Sequence, residues 1–138
     1  MKKNNKDLCS KVHPQMLAVV RIVVGILFAL HGASKFGLIG DGNIAGFAGF
    51  AGIPVWLAVL VGVTELGGGL LLAVGAFTKI VTIPMAIVMV VAYGMAHIPQ
   101  GWNPLGNGGV AALLFLGLFV IYHVQGSGVW SVDKVLTK

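Results

Sequence analysis

The sequence predicts an all-α membrane protein, a bundle of four transmembrane helices, and three observations support this fold class. Of the 138 residues, 57% are hydrophobic and only 9% are charged. In a water-soluble domain about a quarter of the residues are charged. The mean hydropathy is +0.96. Four apolar segments each approach the roughly 20 residues that cross a bilayer as a helix. This composition excludes a soluble globular domain and a disordered chain, and the length allows one domain, residues 1–138.

The helices are predicted over residues 16–36, 54–77, 80–98 and 107–124. Pro54 suits the start of the second helix, because proline is favoured in the first turn. Pro99 ends the third helix and Gly126 ends the fourth. Strands are excluded, because an open sheet would leave its edge backbone groups unpaired in lipid. Residues 37–53, rich in Gly, Ala and Phe, are predicted to be a re-entrant or interfacial segment, and residues 1–15 and 125–138 are terminal tails.

Lysine placement predicts the orientation of the bundle. If both termini face the cytoplasm, the inner side holds seven lysines and the outer side only one, Lys35. The inner seven are Lys2, Lys3, Lys6, Lys11, Lys79, Lys134 and Lys138. Cytoplasmic loops carry an excess of Lys and Arg, so both termini are predicted to be cytoplasmic. The same residues face anionic lipid headgroups, and no basic stripe interleaved with aromatic residues suggests nucleic-acid binding.

Two charged residues lie inside the predicted helices, and we expect them to form a buried ion pair. Arg21 lies in the inner half of the first helix, and Glu65 lies eleven residues below Pro54 in the second. At 1.5 Å per residue the two reach roughly the same depth. Each charge would offset the desolvation of the other. The alternative is that the pair takes part in handling protons or substrate, because ionisable groups at membrane depth are costly.

A second polar group is predicted at the outer edge of the bilayer. It comprises His31, Lys35, Tyr93, His97 and Trp102. A quinone site needs donors for the carbonyl oxygens, titratable groups for the protons and aromatic side chains for the ring, and this group offers all three. Interfacial snorkelling of the lysine and packing of the histidines is the alternative.

Other prosthetic groups are less well supported by the sequence. A haem held between His31 and His97 is the weaker possibility, since matching heights alone do not define a haem site. No metal site is predicted, because no carboxylate lies near the histidines and no HxxE or ExxH spacing occurs.

The chain resembles the DoxX family in four segments. They are RIVVGILFALHGASKF (21–36), ELGGGLLLAVGAFTK (65–79), AHIPQGW (96–102) and GSGVWSVD (126–133). The resemblance covers about residues 16–133 and implies a four-helix inner-membrane protein of a bacterium or archaeon. Relatives include the membrane subunit of an archaeal thiosulfate:quinone oxidoreductase and proteins that accompany oxidative-stress or thiol-stress systems. Residues Arg21, Gly25, Gly32, Lys35 and Glu65 match recurrent positions of the family, and His97 matches more loosely.

The outer polar group and the resemblance to the DoxX family together favour an integral membrane subunit of a quinone-linked oxidoreductase system. Such a subunit would bind quinone or anchor a redox partner. Such a subunit would act with a protein partner or as a homo-oligomer in the lipid bilayer. The alternative is a non-enzymatic membrane scaffold or assembly factor for a partner enzyme.

Overall fold

The computed structural model describes residues 3–137, and it describes side chains from residue 13 onward. The side chains of Cys9 and of the first four lysines, and the whole of Lys138, lie outside this part of the chain. Residues 3–137 form helices joined by turns and contain no strand, which confirms the all-α class. The α-helices are α1 (Lys3–Lys35), α2 (Ile44–Ala51), α3 (Val55–Val74), α4 (Thr78–Ala92), α5 (Val110–Gln125) and α6 (Val132–Leu136).

Three helical stretches of residues 3–137 are long and apolar enough to cross a membrane. They are His13–Lys35, Val55–Val74 and Thr78–Gln100. The fourth predicted helix is the apolar α5, which has 16 residues and therefore measures about 24 Å at 1.5 Å per residue. Four apolar helices thus lie close to the four predicted segments.

The helix ends in the structure differ from the predicted ends, because hydropathy does not determine where a helix begins or ends. α1 begins at Lys3 and continues through Pro14, so part of the predicted tail is helical. Hydropathy marks where a lipid-facing stretch begins, and a helix can extend beyond it. α3 ends at Val74, where Gly75 adopts a left-handed conformation with φ of 70°. α4 continues into a π-helical turn, Tyr93–His97, and then a 3₁₀ turn, Ile98–Gln100.

The segment between α1 and α3, predicted to be re-entrant or interfacial, contains the short helix α2. Asn43 begins α2, because its side chain accepts a hydrogen bond from the Gly46 backbone N–H at 2.7 Å. Gly52 ends the helix with φ of 65°. α2 rests on α3 and buries Ala48, whereas Phe50 is 82% exposed. α2 therefore covers the end of the bundle that contains Lys35, which we call the Lys35 end.

The core lies between the four long helices. Buried side chains from α1, α3, α4 and α5 meet there, and they are Val24, Phe28, Leu72, Met85, Met89, Ala112, Phe119 and Tyr122. The Phe28 and Phe119 rings pack edge to face with centroids 4.8 Å apart. Many large apolar side chains of the same helices are exposed on the outside, as expected for surfaces that contact lipid acyl chains.

Glycines bring α1 and α3 into backbone contact. A Cβ added to Gly25 would lie 2.5 Å from the backbone nitrogen of Ala73, and one added to Gly32 would lie 2.3 Å from that of Leu66. On α3, a Cβ at Gly69 would lie 2.4 Å from the backbone nitrogen of Ala29. Small residues allow such close approach of helices in lipid, where van der Waals packing drives association. These contacts fix the register of α1 against α3.

We predict that Gly69→Ala destabilises the bundle and that Gly67→Ala does not. The added methyl at position 69 meets backbone atoms, which cannot rotate away, so the helices must separate. Overpacking of this kind costs about 1–3 kcal/mol. Gly67 lies on the same helix and has open space where its Cβ would stand. Thermal unfolding of both variants in the same detergent tests this, and equal melting temperatures would contradict the backbone contact.

Candidate functional site

An ion pair between Lys35 and Glu65 lies under α2. Lys35 is the last residue of α1, and Glu65 projects from the middle of α3. The Lys35 Nζ donates to the Glu65 Oε2 at 2.5 Å, and the two side chains are only 14% and 5% exposed. The Lys35 Nζ also lies 4.5 Å from the ring centroid of Phe47 on α2, a cation–π distance. The pair is therefore screened from water by a short helix that the sequence did not clearly define.

The predicted pairing of Arg21 with Glu65 is wrong. Gly32 contacts α3 at Gly62 and Leu66, so Glu65 lies level with Gly32. Arg21 is eleven residues from Gly32 along α1, about 16 Å at 1.5 Å per residue. The prediction assumed that both helices reach the same outer level. The glycine contacts instead place the start of α3 beyond the end of α1, which moves Glu65 towards Lys35.

His31 lies one turn before Lys35 but on the outer surface of the bundle. Its Nδ1 lies 2.8 Å from the Leu27 carbonyl oxygen, and its ring packs edge to face with Phe115 of α5 at 5.6 Å. Because a carbonyl only accepts, Nδ1 is the donor. The Nε2 of a neutral His31 is then an acceptor on an exposed side chain.

A second polar cluster lies where α4 gives way to the π-helical turn. The His97 Nδ1 lies 2.8 Å from the Asn107 carbonyl oxygen, so this nitrogen is also the donor. Asn107 is 4% exposed and holds its loop together, since its side chain donates to the Gly101 carbonyl and accepts from the Gly109 N–H. The Tyr93 and His97 rings lie 6.0 Å apart. The π turn inserts an extra residue and directs His97 towards this loop.

The predicted outer group therefore divides into two clusters. Lys35 belongs with Glu65 and Phe47, and His31 lies beside them on α1. Tyr93 and His97 belong with Asn107. Trp102 is 82% exposed at the surface. Among residues 13–137, no hydrogen bond or ion pair connects the two clusters.

Arg21 anchors the C-terminal segment, residues 126–137, to the opposite end of the bundle, which we call the Arg21 end. The side chain is fully buried. Its Nη1 donates to the Ser127 carbonyl, and at 3.4 Å to the Val129 carbonyl. Its Nη2 donates to the Trp130 carbonyl at 2.7 Å and the Ala73 carbonyl at 3.4 Å. One guanidinium thus connects α1, α3 and the C-terminal segment.

Asp133 supports the same arrangement from the C-terminal segment. Its carboxylate accepts the backbone N–H groups of Phe77 at 2.6 Å and Thr78 at 3.0 Å, which caps the start of α4. Its own N–H donates to the Gly75 carbonyl at 2.9 Å. Partial burial raises the pKa of Asp133, but the hydrogen bonds from Thr78 and Phe77 outweigh this, and the net shift of the pKa is downward. The carboxylate is therefore ionised at neutral pH.

Several residues of these clusters carried little signal in the sequence. Phe47 stood in a Gly/Ala/Phe-rich segment, and Asn107 was placed at a helix start. The GSGVWSVD segment (126–133) gave the one usable indication that the C-terminal residues are more than a tail. Chemically, the Lys35 end combines a shielded ion pair with two histidines whose Nδ1 atoms are engaged by backbone carbonyls. At the Arg21 end, the guanidinium donates hydrogen bonds to backbone carbonyls.

The chain is similar to one family model and to several bacterial proteins. The family model described as DoxX matches residues 16–98. An uncharacterized protein of Haemophilus influenzae is 36% identical over 131 residues, which covers 93% of this chain and 96% of that protein. A Bacillus subtilis protein named "Putative oxidoreductase CatD" is 37% identical over 73 residues, 52% of each chain. An uncharacterized membrane protein of Mycobacterium tuberculosis is 29% identical over 142 aligned residues, 91% of this chain and 83% of that protein. No solved structure matches the chain.

Proposed function

Because the chain belongs to the DoxX family, we propose that it is an integral membrane subunit of a quinone-linked oxidoreductase system. The observation that carries the proposal is the shielded Lys35–Glu65 pair at one end of the spans. A buried pair of proton-bearing groups at membrane depth is costly and usually serves a function. The name of the Bacillus subtilis relative points to the same class of chemistry.

The residues of the Lys35 end suit a quinone headgroup in two respects. His31 and His97 each have Nδ1 hydrogen-bonded to a backbone carbonyl, so Nε2 of each is left to exchange a hydrogen bond with a bound ring oxygen. Tyr93 beside His97 and Phe115 beside His31 supply aromatic surface. A quinone accepts two electrons and two protons, and these imidazoles would hold or transfer the protons. Lys35 is already paired with Glu65, so its role is to hold that carboxylate in position.

The proposal includes a partner and a membrane orientation. Electrons must come from a donor, and we propose that a partner subunit supplies them. Lys79 and Lys134 lie at the Arg21 end, so we place that end in the cytoplasm, with α5 as the fourth span in a bacterial inner membrane. An impermeant thiol reagent on whole cells should label Asp41→Cys but not Thr137→Cys, both in a Cys9→Ser background.

Quinone binding to the purified protein tests the site. We expect a short-chain ubiquinone to bind the native chain, and His97→Gln to weaken binding about tenfold, because one hydrogen bond contributes about 1 kcal/mol or slightly more. His123→Gln is the matched control. Its Nδ1 also lies 2.9 Å from a backbone carbonyl, that of Lys79, but at the Arg21 end. Tryptophan fluorescence quenching measures the affinity of each variant.

Equal affinity in the native chain and in both variants would contradict the assignment of His97. Absence of quinone binding in all three would favour the non-enzymatic scaffold instead. In that case the protein should still copurify with a partner enzyme after the loss of His31 and His97.

A further inference from the structure

A groove at the Arg21 end lies between the start of α4 and the C-terminal segment. It measures about 500 Å³ and opens to the outside. Lys79 borders it from the first turn of α4, and Lys134 from α6. Both lysines are exposed. The groove belongs to neither cluster at the Lys35 end, so its role is separate from the proposed function.

The groove carries an excess of positive charge. Among the side chains of residues 13–137, neither lysine lies within 4.0 Å of a carboxylate. Asp133 also borders the groove, but its two oxygens accept the N–H groups that begin α4. Arg21 lies directly behind the groove and donates to the Ser127 carbonyl. Two exposed lysines thus border the groove, and its one carboxylate is already engaged, which favours an anionic ligand.

The edge of the groove is apolar and faces outward. Phe77 is 57% exposed and Ile80 is 67% exposed, and both border the groove. They stand where α4 begins its membrane span, Thr78–Gln100. Charged groups next to exposed apolar side chains at the end of a span match a lipid, which has a polar headgroup and an acyl chain, better than a free soluble anion.

We propose that this groove binds the phosphate headgroup of an anionic phospholipid, with Lys79 and Lys134 as its cationic contacts and Phe77 and Ile80 against the acyl chain. The site fixes the C-terminal segment against α4 when the lipid is bound, because the two lysines come from these two parts of the chain. Basic pockets between transmembrane helices are known to hold such headgroups.

Native mass spectrometry of the full chain in detergent tests the proposal. The probes are phosphatidylglycerol, zwitterionic phosphatidylcholine and inorganic phosphate. We expect the native chain to prefer phosphatidylglycerol. Each lysine-to-glutamine change should weaken this binding about fivefold, and Lys79→Gln/Lys134→Gln about thirtyfold, since each basic residue near anionic lipid contributes about that much. Lys79→Arg/Lys134→Arg keeps both charges and should retain the preference.

Two results would overturn the proposal. One is equal binding of phosphatidylglycerol by the native chain and by Lys79→Gln/Lys134→Gln. The other is displacement of bound lipid by millimolar inorganic phosphate, with no preference between the two phospholipids, which would indicate a free oxyanion site. Because both lysines are exposed, the variants should fold, and equal melting temperatures without added lipid would verify this.

Discussion

Glu65→Gln is expected to lower the free energy of unfolding by about 3–5 kcal/mol, because it leaves the Lys35 ammonium in a shielded position without a counter-charge. Lys35→Met should have an effect of similar size for the converse reason. Both side chains are largely buried, at 14% and 5% exposure, so water cannot easily replace the lost partner. In Glu65→Gln, Lys35 would also lose its cation–π contact with Phe47 if it turned outward to reach the lipid headgroups.

The double variant Lys35→Met/Glu65→Gln makes this test specific. If the two charges stabilise each other, the double variant is expected to be far less destabilised than the sum of the single variants. Replacing both members of a buried ion pair with neutral residues is often close to neutral. Asp41→Asn is a matched control, because Asp41 is exposed in the loop before α2. Additive effects in denaturant unfolding would contradict a direct interaction between Lys35 and Glu65.

The helices could be predicted because lipid leaves the backbone few options. Apolar stretches of this length must satisfy their hydrogen bonds internally, so residues 54–77 and 107–124 match α3 and α5 within a few residues. The fold-back of the C-terminal segment could not be predicted in this way. It depends on one buried arginine that meets backbone carbonyls, and carbonyls are present at every position of a sequence.

The charged site residues could be found in the sequence, but their partners could not. Arg21, Lys35 and Glu65 stand out because charges are rare within apolar segments. Which of them meet depends on how far α1 is shifted along α3. That shift is fixed by the backbone contacts at Gly32 and Gly69, and a shift of a few residues exchanges one partner for another. The division of the outer histidines likewise follows from the π turn, which hydropathy does not reveal.

Arg21→Met is expected to release the C-terminal segment from the bundle. The change removes the donors for the Ser127 and Trp130 carbonyls, and a buried carbonyl without a partner costs about 1–3 kcal/mol. The segment can recover these hydrogen bonds only by moving into water. Trypsin cleavage after Lys134 should therefore become at least about tenfold faster, because local opening exposes that bond to the protease.

Arg21→Lys distinguishes the positive charge from the shape of the guanidinium. A lysine keeps the charge but has a single ammonium group. It cannot donate at once to the Ala73 carbonyl on α3 and to the Ser127 and Trp130 carbonyls of the C-terminal segment, as the planar guanidinium does. We expect its cleavage rate to lie between those of the native chain and Arg21→Met. In detergent without added anionic lipid, Lys79→Gln removes an exposed cation at the same end and should leave cleavage after Lys134 unchanged. If Arg21→Met were cleaved at the native rate, the segment would be held by Asp133 and its contacts with Phe77 and Thr78 alone.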